Sequence, residues 1–221
     1  MKRLMIVSVV LSVLLAASAY AQTTDIFELA KNGTPQAMKD AIAKGANINA
    51  RDADGNETVL MWAAQFNQNP EVTATLVKAG AIVETRDYDK KWTTLMLAAQ
   101  ASKNPEVITV LLKAGADLKA ADPDDGSTPF LIACAYNENP EVVLRLLRAG
   151  ANLEVKDNNG FTPLMEAASK NQNPDVILAL LKAGANVKVK NNKGFAALDY
   201  AKANRFLAGT DALKQLEEAS K

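Results

Sequence analysis

The feature that most constrains the fold of this chain is an internal repeat. The phrase Lys-Ala-Gly-Ala, or a near variant, has glycines at Gly45, Gly80, Gly115, Gly150 and Gly184, spaced by 35, 35, 35 and 34 residues. In the four later units, an Asn-Pro-acid-Val phrase places its proline ten residues before the glycine, and a threonine lies twelve residues before that proline. Three markers in one fixed phase identify a repeat protein, in which each unit packs on its neighbours.

One unit reads as two short helices followed by a projecting loop. Thr162-Pro163 is typical of a helix start, because threonine caps free backbone amides and proline suits the first helical position. Asn173-Pro174 starts a second helix in the same way, and its apolar residues recur at helical spacing. Gly184 fits a left-handed helix end, and Asp157–Gly160 has the composition of a turn between units.

The same residues carry a family resemblance. Residues Asp157 to Ala168 read Asp-x-x-Gly-x-Thr-Pro-Leu-x-x-Ala-Ala, and Asp175 to Ala185 continue with an Asp-Val start and a Leu-Leu-x-x-Gly-Ala end. This pattern resembles the ankyrin-repeat consensus from about Thr24 to Lys221. The resemblance implies an all-α ankyrin-repeat solenoid of about six stacked helix pairs with projecting β-turn loops. The family histidine is replaced by Met61, Met96, Leu131, Met165 and Asp199.

The chain divides into a leader and one repeat domain. Residues 1–21 read as a secretory signal peptide, and residues 22–221 as the repeat domain. The expected repeats are 22–54, 55–89, 90–124, 125–158, 159–192 and 193–221, of which the first and last act as caps. The last helix, from about Asp211 to Ala219, is polar, as the outer face of a terminal repeat must be.

The leader has the order of charges and apolar residues that an export signal requires. Lys2 and Arg3 precede an apolar run from Leu4 to Ala17, and Ala19-Tyr20-Ala21 supplies small residues at a cleavage site. We therefore expect cleavage after Ala21 and a periplasmic or secreted bacterial protein with no membrane span after cleavage. The alternative is an uncleaved amino-terminal anchor, although the apolar run is short for a span.

Composition excludes several classes of function. The chain has 25 basic and 25 acidic residues, no histidine and one cysteine. Zero net charge argues against nucleic-acid binding, which normally requires a basic excess. The absence of histidine removes imidazole zinc sites and Ser-His or Cys-His dyads, and one cysteine allows no disulfide framework.

The remaining reactive residue types have structural interpretations. Cys134 occupies the second small position of its repeat and is expected in the core. Asp122–Gly126 resembles half of a calcium loop, but its glycine comes one position early and the glutamate at position twelve is absent. Asp52, Asp87, Asp122 and Asp157 recur at one phase and are expected to fix the loops by local hydrogen bonds. We expect no catalytic residue, no cofactor and no metal.

The family resemblance implies a concave groove, lined by the projecting turns and first helices, that binds other proteins. The residue types agree, because aromatic side chains, which are common in binding hot spots, fall on these segments. The expected contacts are Phe66, Tyr88, Trp92, Gln100, Tyr136 and Lys170. An alternative for Trp92, Phe161 and Phe195, which occupy equivalent positions, is that they brace adjacent hairpins.

These observations lead to one functional hypothesis and two rivals. The leading hypothesis is a non-enzymatic, monomeric protein-binding module of the bacterial envelope, which inhibits, protects or assists an exported enzyme. One rival is an architectural protein that self-assembles through its flat ends. The other is a hydrolase that works with carboxylates alone, for which Glu57, Asp157 and Glu166 would be the candidates.

Overall fold

The computed structural model describes residues 25–54 and 56–221, so the expected signal peptide lies outside the described residues. Across these residues the fold is all-α, as the sequence predicts, with twelve helices in six pairs. In chain order the helices are α1 Ile26–Asn32, α2 Pro35–Ala43, α3 Val59–Phe66, α4 Pro70–Lys78, α5 Thr94–Ala101, α6 Pro105–Lys113, α7 Pro129–Tyr136, α8 Pro140–Arg148, α9 Pro163–Lys170, α10 Pro174–Lys182, α11 Ala197–Ala203 and α12 Asp211–Ala219.

Local capping explains where the helices begin. The hydroxyl of Thr162 accepts a hydrogen bond from the Met165 amide at 3.3 Å, and the side chain of Asn173 accepts one from the Asp175 amide at 2.9 Å. The same two bonds recur in the other middle repeats. Each cap satisfies an amide that the helix itself cannot pair, so the recurring Thr and Asn-Pro phrases fix the repeat boundaries.

The side chains that replace the family histidine complete some of these caps. The backbone amide of Thr58 donates to Sδ of Met61 at 3.3 Å, and that of Ala196 donates to the Asp199 carboxylate at 2.8 Å. Met61 and Met96 are fully buried and Met165 is 1 % exposed. The methionines are therefore core residues.

The projecting loops are fixed by the recurring acidic residue. Asp157 accepts hydrogen bonds from the backbone amides of Asn159 and Phe161 at 2.9 and 2.7 Å, and Asp52, Asp87 and Asp122 accept equivalent local bonds. Isolated antiparallel bridges join Arg51 to Thr58 and Arg86 to Thr93 at the hairpin bases. The expected structural role of these aspartates is confirmed.

Neighbouring repeats are joined by buried asparagines that follow the first helices. The side-chain amide of Asn137 donates to the carbonyls of Ala99 and Ser102, both at 2.9 Å. The same pair of bonds to the preceding repeat is made by Asn67, Asn171 and Asn204. These bonds satisfy carbonyls at the ends of helices, where no intrahelical partner exists.

The first helices form the more closely packed layer of the stack. Helices α3, α5, α7 and α9 pack more closely on one another than α4, α6, α8 and α10 do. We call the side of the first helices and the hairpin tips the concave side. Equivalent second-helix leucines are not equally buried, since Leu146 is fully buried and Leu181 is only partly buried.

Candidate protein-binding surface

The concave surface is lined by the hairpin tips and by the ends of the first helices. The last residues of the central first helices are Phe66, Ala101, Tyr136 and Lys170, in repeat order. Phe66 is 42 % exposed and Tyr136 is 47 % exposed, and Lys170 is also exposed. Ala101, which lies between the two aromatic residues in repeat order, has a small side chain. Large exposed rings are residues that protein interfaces commonly use as anchors.

Five of the six expected contacts have accessible side chains. Tyr88 is 57 % exposed at the second hairpin tip, and Gln100 is partly buried beside Ala101 at the end of α5. Phe66, Tyr136 and Lys170 lie at the ends of the first helices, as described above. These residues extend over neighbouring repeats and form what we call the concave surface.

Trp92 is the exception, and the structure corrects the expectation for it. Only 7 % of the residue is exposed, and it clusters with Leu97 and Ile132 of the first helices. Its indole N–H donates to the carboxylate of Asp122 on the next tip. Trp92 therefore braces adjacent hairpins and is not an exposed contact residue.

Two aromatic clusters lie toward the ends of the stack. Near the amino end, Trp62 makes edge contacts with Phe27 and Phe66 at ring-centroid distances of 5.6 and 5.7 Å. Near the carboxyl end, Tyr200 contacts Phe161 at 4.9 Å and Phe195 at 6.0 Å. Phe161 and Phe195 thus share one packing partner, which agrees with a bracing role.

An ion pair joins the buried Glu166 of α9 to the exposed Lys170 at the end of the same helix. Glu166 of α9 is 2 % exposed and lies at the position that Trp62, Leu97, Ile132 and Tyr200 occupy in other repeats. Its carboxylate contacts Nζ of Lys170 at 2.7 Å, and this nitrogen lies 5.6 Å from the centroid of the Tyr136 ring. The pair therefore holds the Lys170 side chain against Tyr136.

Both members of this pair have shifted pKa values. Burial raises the pKa of Glu166, against the opposing effect of Lys170, and the charges of Asp157 and Asp125 raise it further. Burial alone would lower the pKa of Lys170, but the hydrogen bond and charge of Glu166 outweigh it and raise that pKa. A buried carboxylate thus occupies a position that Leu97 and Ile132 fill with apolar side chains in the third and fourth repeats.

A family model for ankyrin repeats, in three copies, matches residues 26–122, 101–191 and 130–216. The chain belongs to the ankyrin-repeat family. An ankyrin-repeat fold of this type is typically non-enzymatic.

A chain in the solved structure of the "Bd0816 Predatory Endopeptidase from Bdellovibrio bacteriovorus in complex with immunity protein Bd3460" is similar to this ankyrin-repeat protein. The similarity is to the immunity protein, with 29 % identity and a TM-score of 0.68. The alignment covers 89 % of this chain and 98 % of that chain. No curated protein matches the chain significantly.

The three candidate carboxylates of a carboxylate hydrolase, Glu57, Asp157 and Glu166, do not all lie at one site. Burial raises the pKa of Glu57, which accepts a hydrogen bond from Gln65 at 2.7 Å. However, Glu57 and Glu166 are three repeats apart, which is about 25 Å or more at ordinary helix spacing. Glycosidase carboxylates lie about 5–10 Å apart. Asp157 is nearer to Glu166, but it already accepts two backbone hydrogen bonds.

The other reactive groups of the ankyrin-repeat domain are inaccessible or dispersed. Cys134 is fully buried, and burial raises the pKa of its thiol, with a further contribution from the charge of Glu166. In the described part of the chain, no group of three potential metal-ligand side chains converges on one point. Over the same residues, no helix has the length and hydrophobicity that crossing a membrane would require.

Proposed function

We propose that this ankyrin-repeat protein binds and neutralises an exported peptidase through its concave surface. The observation that carries the proposal is the set of exposed side chains that break the repeat pattern on one face. Phe66, Tyr88 and Tyr136 are between 42 and 57 % exposed. A stable core gains nothing from exposing large aromatic rings, whereas a protein interface commonly uses them as anchors.

The similarity to an immunity protein indicates the class of partner. That protein is in complex with an endopeptidase, and the alignment includes nearly all of it. The apolar run and Ala19-Tyr20-Ala21 at the amino end support export to the compartment in which a secreted peptidase would act. A usual stable interface buries about 1,600 Å² in total, which three or four neighbouring tips and helix ends could supply.

Peptidase inhibition tests the proposal directly. The probe is the exported peptidase of the same genome that most resembles Bd0816, mixed with the chain from residue 22 onward. We expect a one-to-one complex on size-exclusion chromatography and loss of peptide hydrolysis at equimolar concentration. Full hydrolysis at a tenfold excess, with no complex, would contradict the proposal.

Amino-terminal sequencing of the native protein checks export, since a sequence that begins at Gln22 is expected.

A further inference from the structure

The second hairpin tip departs from the other tips in both sequence and backbone geometry. Its residues 88–91 read Tyr-Asp-Lys-Lys, whereas the corresponding segments of the next three tips read Pro-Asp-Asp-Gly, Asn-Asn-Gly and Asn-Lys-Gly. The first tip, residues 53–56, reads Ala-Asp-Gly-Asn and also has no glycine at its last position, but it places asparagine there and not lysine.

Lys91 is the residue of the second tip with the most distinctive backbone conformation. Its φ angle is +58°, and it is the one non-glycine residue with a positive φ within residues 25–54 and 56–221. Gly126, Gly160 and Gly194 occupy the equivalent position in the next three tips, with φ angles of +77°, +81° and +83°. A side chain in this conformation costs folding free energy, which glycine avoids. A lysine in this conformation directs attention to its side chain.

The Lys91 side chain contributes to a compact cationic and aromatic platform. Its ammonium group donates to the Tyr88 carbonyl at 2.8 Å and lies 5.6 Å from the centroid of the Tyr88 ring. The guanidinium of Arg51, from the preceding tip, lies 4.0 Å from the same centroid. Nζ of Lys90 lies 4.3 Å from the centroid of the Trp92 ring. Three cations thus surround one exposed tyrosine and one buried tryptophan.

The platform is held in place before any partner binds. The side-chain oxygen of Asn56 accepts hydrogen bonds from the backbone amides of Tyr88 and Asp89 at 2.7 and 3.2 Å. The side-chain amide of Asn56 donates to the Asp89 carboxylate at 2.8 Å. The other acid of the tip, Asp87, is 2 % exposed and accepts from the Lys90 amide. Both acids accept hydrogen bonds within the protein, although the exposed Asp89 keeps its charge beside the lysines. The preceding repeat fixes the tip, which reduces the entropy lost on binding.

We propose that the second tip is the specificity-determining anchor of the interface and enters an acidic pocket with an apolar wall on the partner protein. Tyr88 would pack on the apolar wall, and Lys91 and Lys90 would pair with carboxylates. The third tip carries exposed Asp124 and the partly buried Asp125, so a shift of the partner by one repeat would place like charges together. The inference rests on the proposed function, because it assigns a role within that same protein interface.

The test compares Lys91→Gly with wild type, using the exported peptidase described above as the probe. Glycine relieves the backbone conformation, so we expect a melting temperature that is unchanged or up to about 4 °C higher. Binding should nevertheless weaken about tenfold, with a smaller dependence of the association rate on salt. Lys193→Ala, at an exposed lysine of the last tip, is the matched control and should bind as wild type does.

The outcomes separate the two proposals. Wild-type affinity in the Lys91→Gly variant, or weaker binding accompanied by a lower melting temperature, would overturn the role of the tip alone. If the wild-type protein does not bind the peptidase, both proposals are wrong. Carbodiimide crosslinking, which joins an ammonium group directly to a carboxylate, tests the acidic pocket. A crosslink from Lys90 or Lys91 to the peptidase supports the pocket, and its absence from a stable complex overturns it.

Discussion

At the scale of single residues, Glu166 places a charged group at a position that is mostly apolar in the other repeats. Its carboxylate is buried where other repeats place mostly apolar side chains, and its contact with Lys170 holds that cation beside Tyr136. Burial raises its pKa above the ordinary value of 4.5. The folded state therefore binds this proton more tightly than the unfolded state does.

This raised pKa predicts a pH dependence that Glu166→Gln should remove. The contribution of Glu166 to stability is full below pH 4.5 and is lost as the pH rises through the raised folded-state value. Over that range the free energy of unfolding of wild type should fall relative to that of the variant. The fall should be about 1.4 kcal/mol for each unit by which folding raises the pKa of Glu166. Urea unfolding of both proteins between pH 4 and 8 measures it. Parallel pH profiles would show that the carboxyl titrates normally.

The two leucines of the second helices provide a test of where the core lies. Leu146 is fully buried, so Leu146→Ala should lower the free energy of unfolding by about 2–5 kcal/mol. Leu181→Ala should cost less, because that side chain is partly exposed to solvent. Urea unfolding of both variants shows which substitution lowers the free energy of unfolding more. Equal losses, or a larger loss at Leu181, would mean that the core is mislocated.

The burial and contacts of individual side chains were only partly predictable from the sequence. The burial of Cys134 and the roles of the loop aspartates follow from their positions within one repeat. The burial of Trp92 depends on Asp122, which belongs to the next tip, and no local pattern indicates that contact. The ion pair had a visible signal in Glu166 and Lys170 at helical spacing, but its burial depends on packing between repeats.

At the scale of elements, the buried asparagines act as ties between consecutive repeats. Asn67, Asn137, Asn171 and Asn204 each donate two bonds to the preceding repeat. The equivalent position in the third repeat is Ser102, whose hydroxyl donates instead to Asn104 in its own turn. The interface between the second and third repeats therefore lacks this tie.

Restoring the tie should stabilise the protein. In Ser102→Asn, the new side-chain amide would reach the carbonyls that correspond to those bound elsewhere, namely those of Ala64 and Asn67. Two added hydrogen bonds should raise the free energy of unfolding by about 1–2 kcal/mol. Chemical denaturation measures the gain, and Asn137→Ala, which removes an existing tie, is the matched opposite and should destabilise. A destabilised Ser102→Asn protein would show that the turn cannot accommodate the larger side chain.

The elements themselves were predicted well because their signals are local. Caps, prolines and terminal glycines mark the ends of each helix within a few residues, and the last helix runs from Asp211 to Ala219 as expected. The contacts between repeats were harder to predict from the sequence. Ties such as Asn137 join residues about one repeat apart, and a sequence pattern does not state which carbonyl a side chain will reach.

At the scale of the whole molecule, six helix pairs form a stack whose concave side carries the irregular features. Exposed Phe66, Tyr88 and Tyr136, the Glu166–Lys170 pair and the unusual tip at Lys91 all belong to the tips and first helices. The second helices α6, α8 and α10 keep a regular pattern of Val, Ile and Leu. This division of regular and irregular residues is what a binding protein built on a repeat scaffold requires.

The most direct test of this account is the affinity of the exported peptidase for two variants, measured by titration calorimetry alongside thermal melting. Tyr136→Ala removes an exposed ring of the concave surface, and Lys113→Ala changes an exposed lysine of a second helix. We predict that Tyr136→Ala weakens binding by about 2 kcal/mol at an unchanged melting temperature, whereas Lys113→Ala binds as wild type does. Normal binding by Tyr136→Ala, or a loss explained by unfolding, would contradict the concave surface as the binding site.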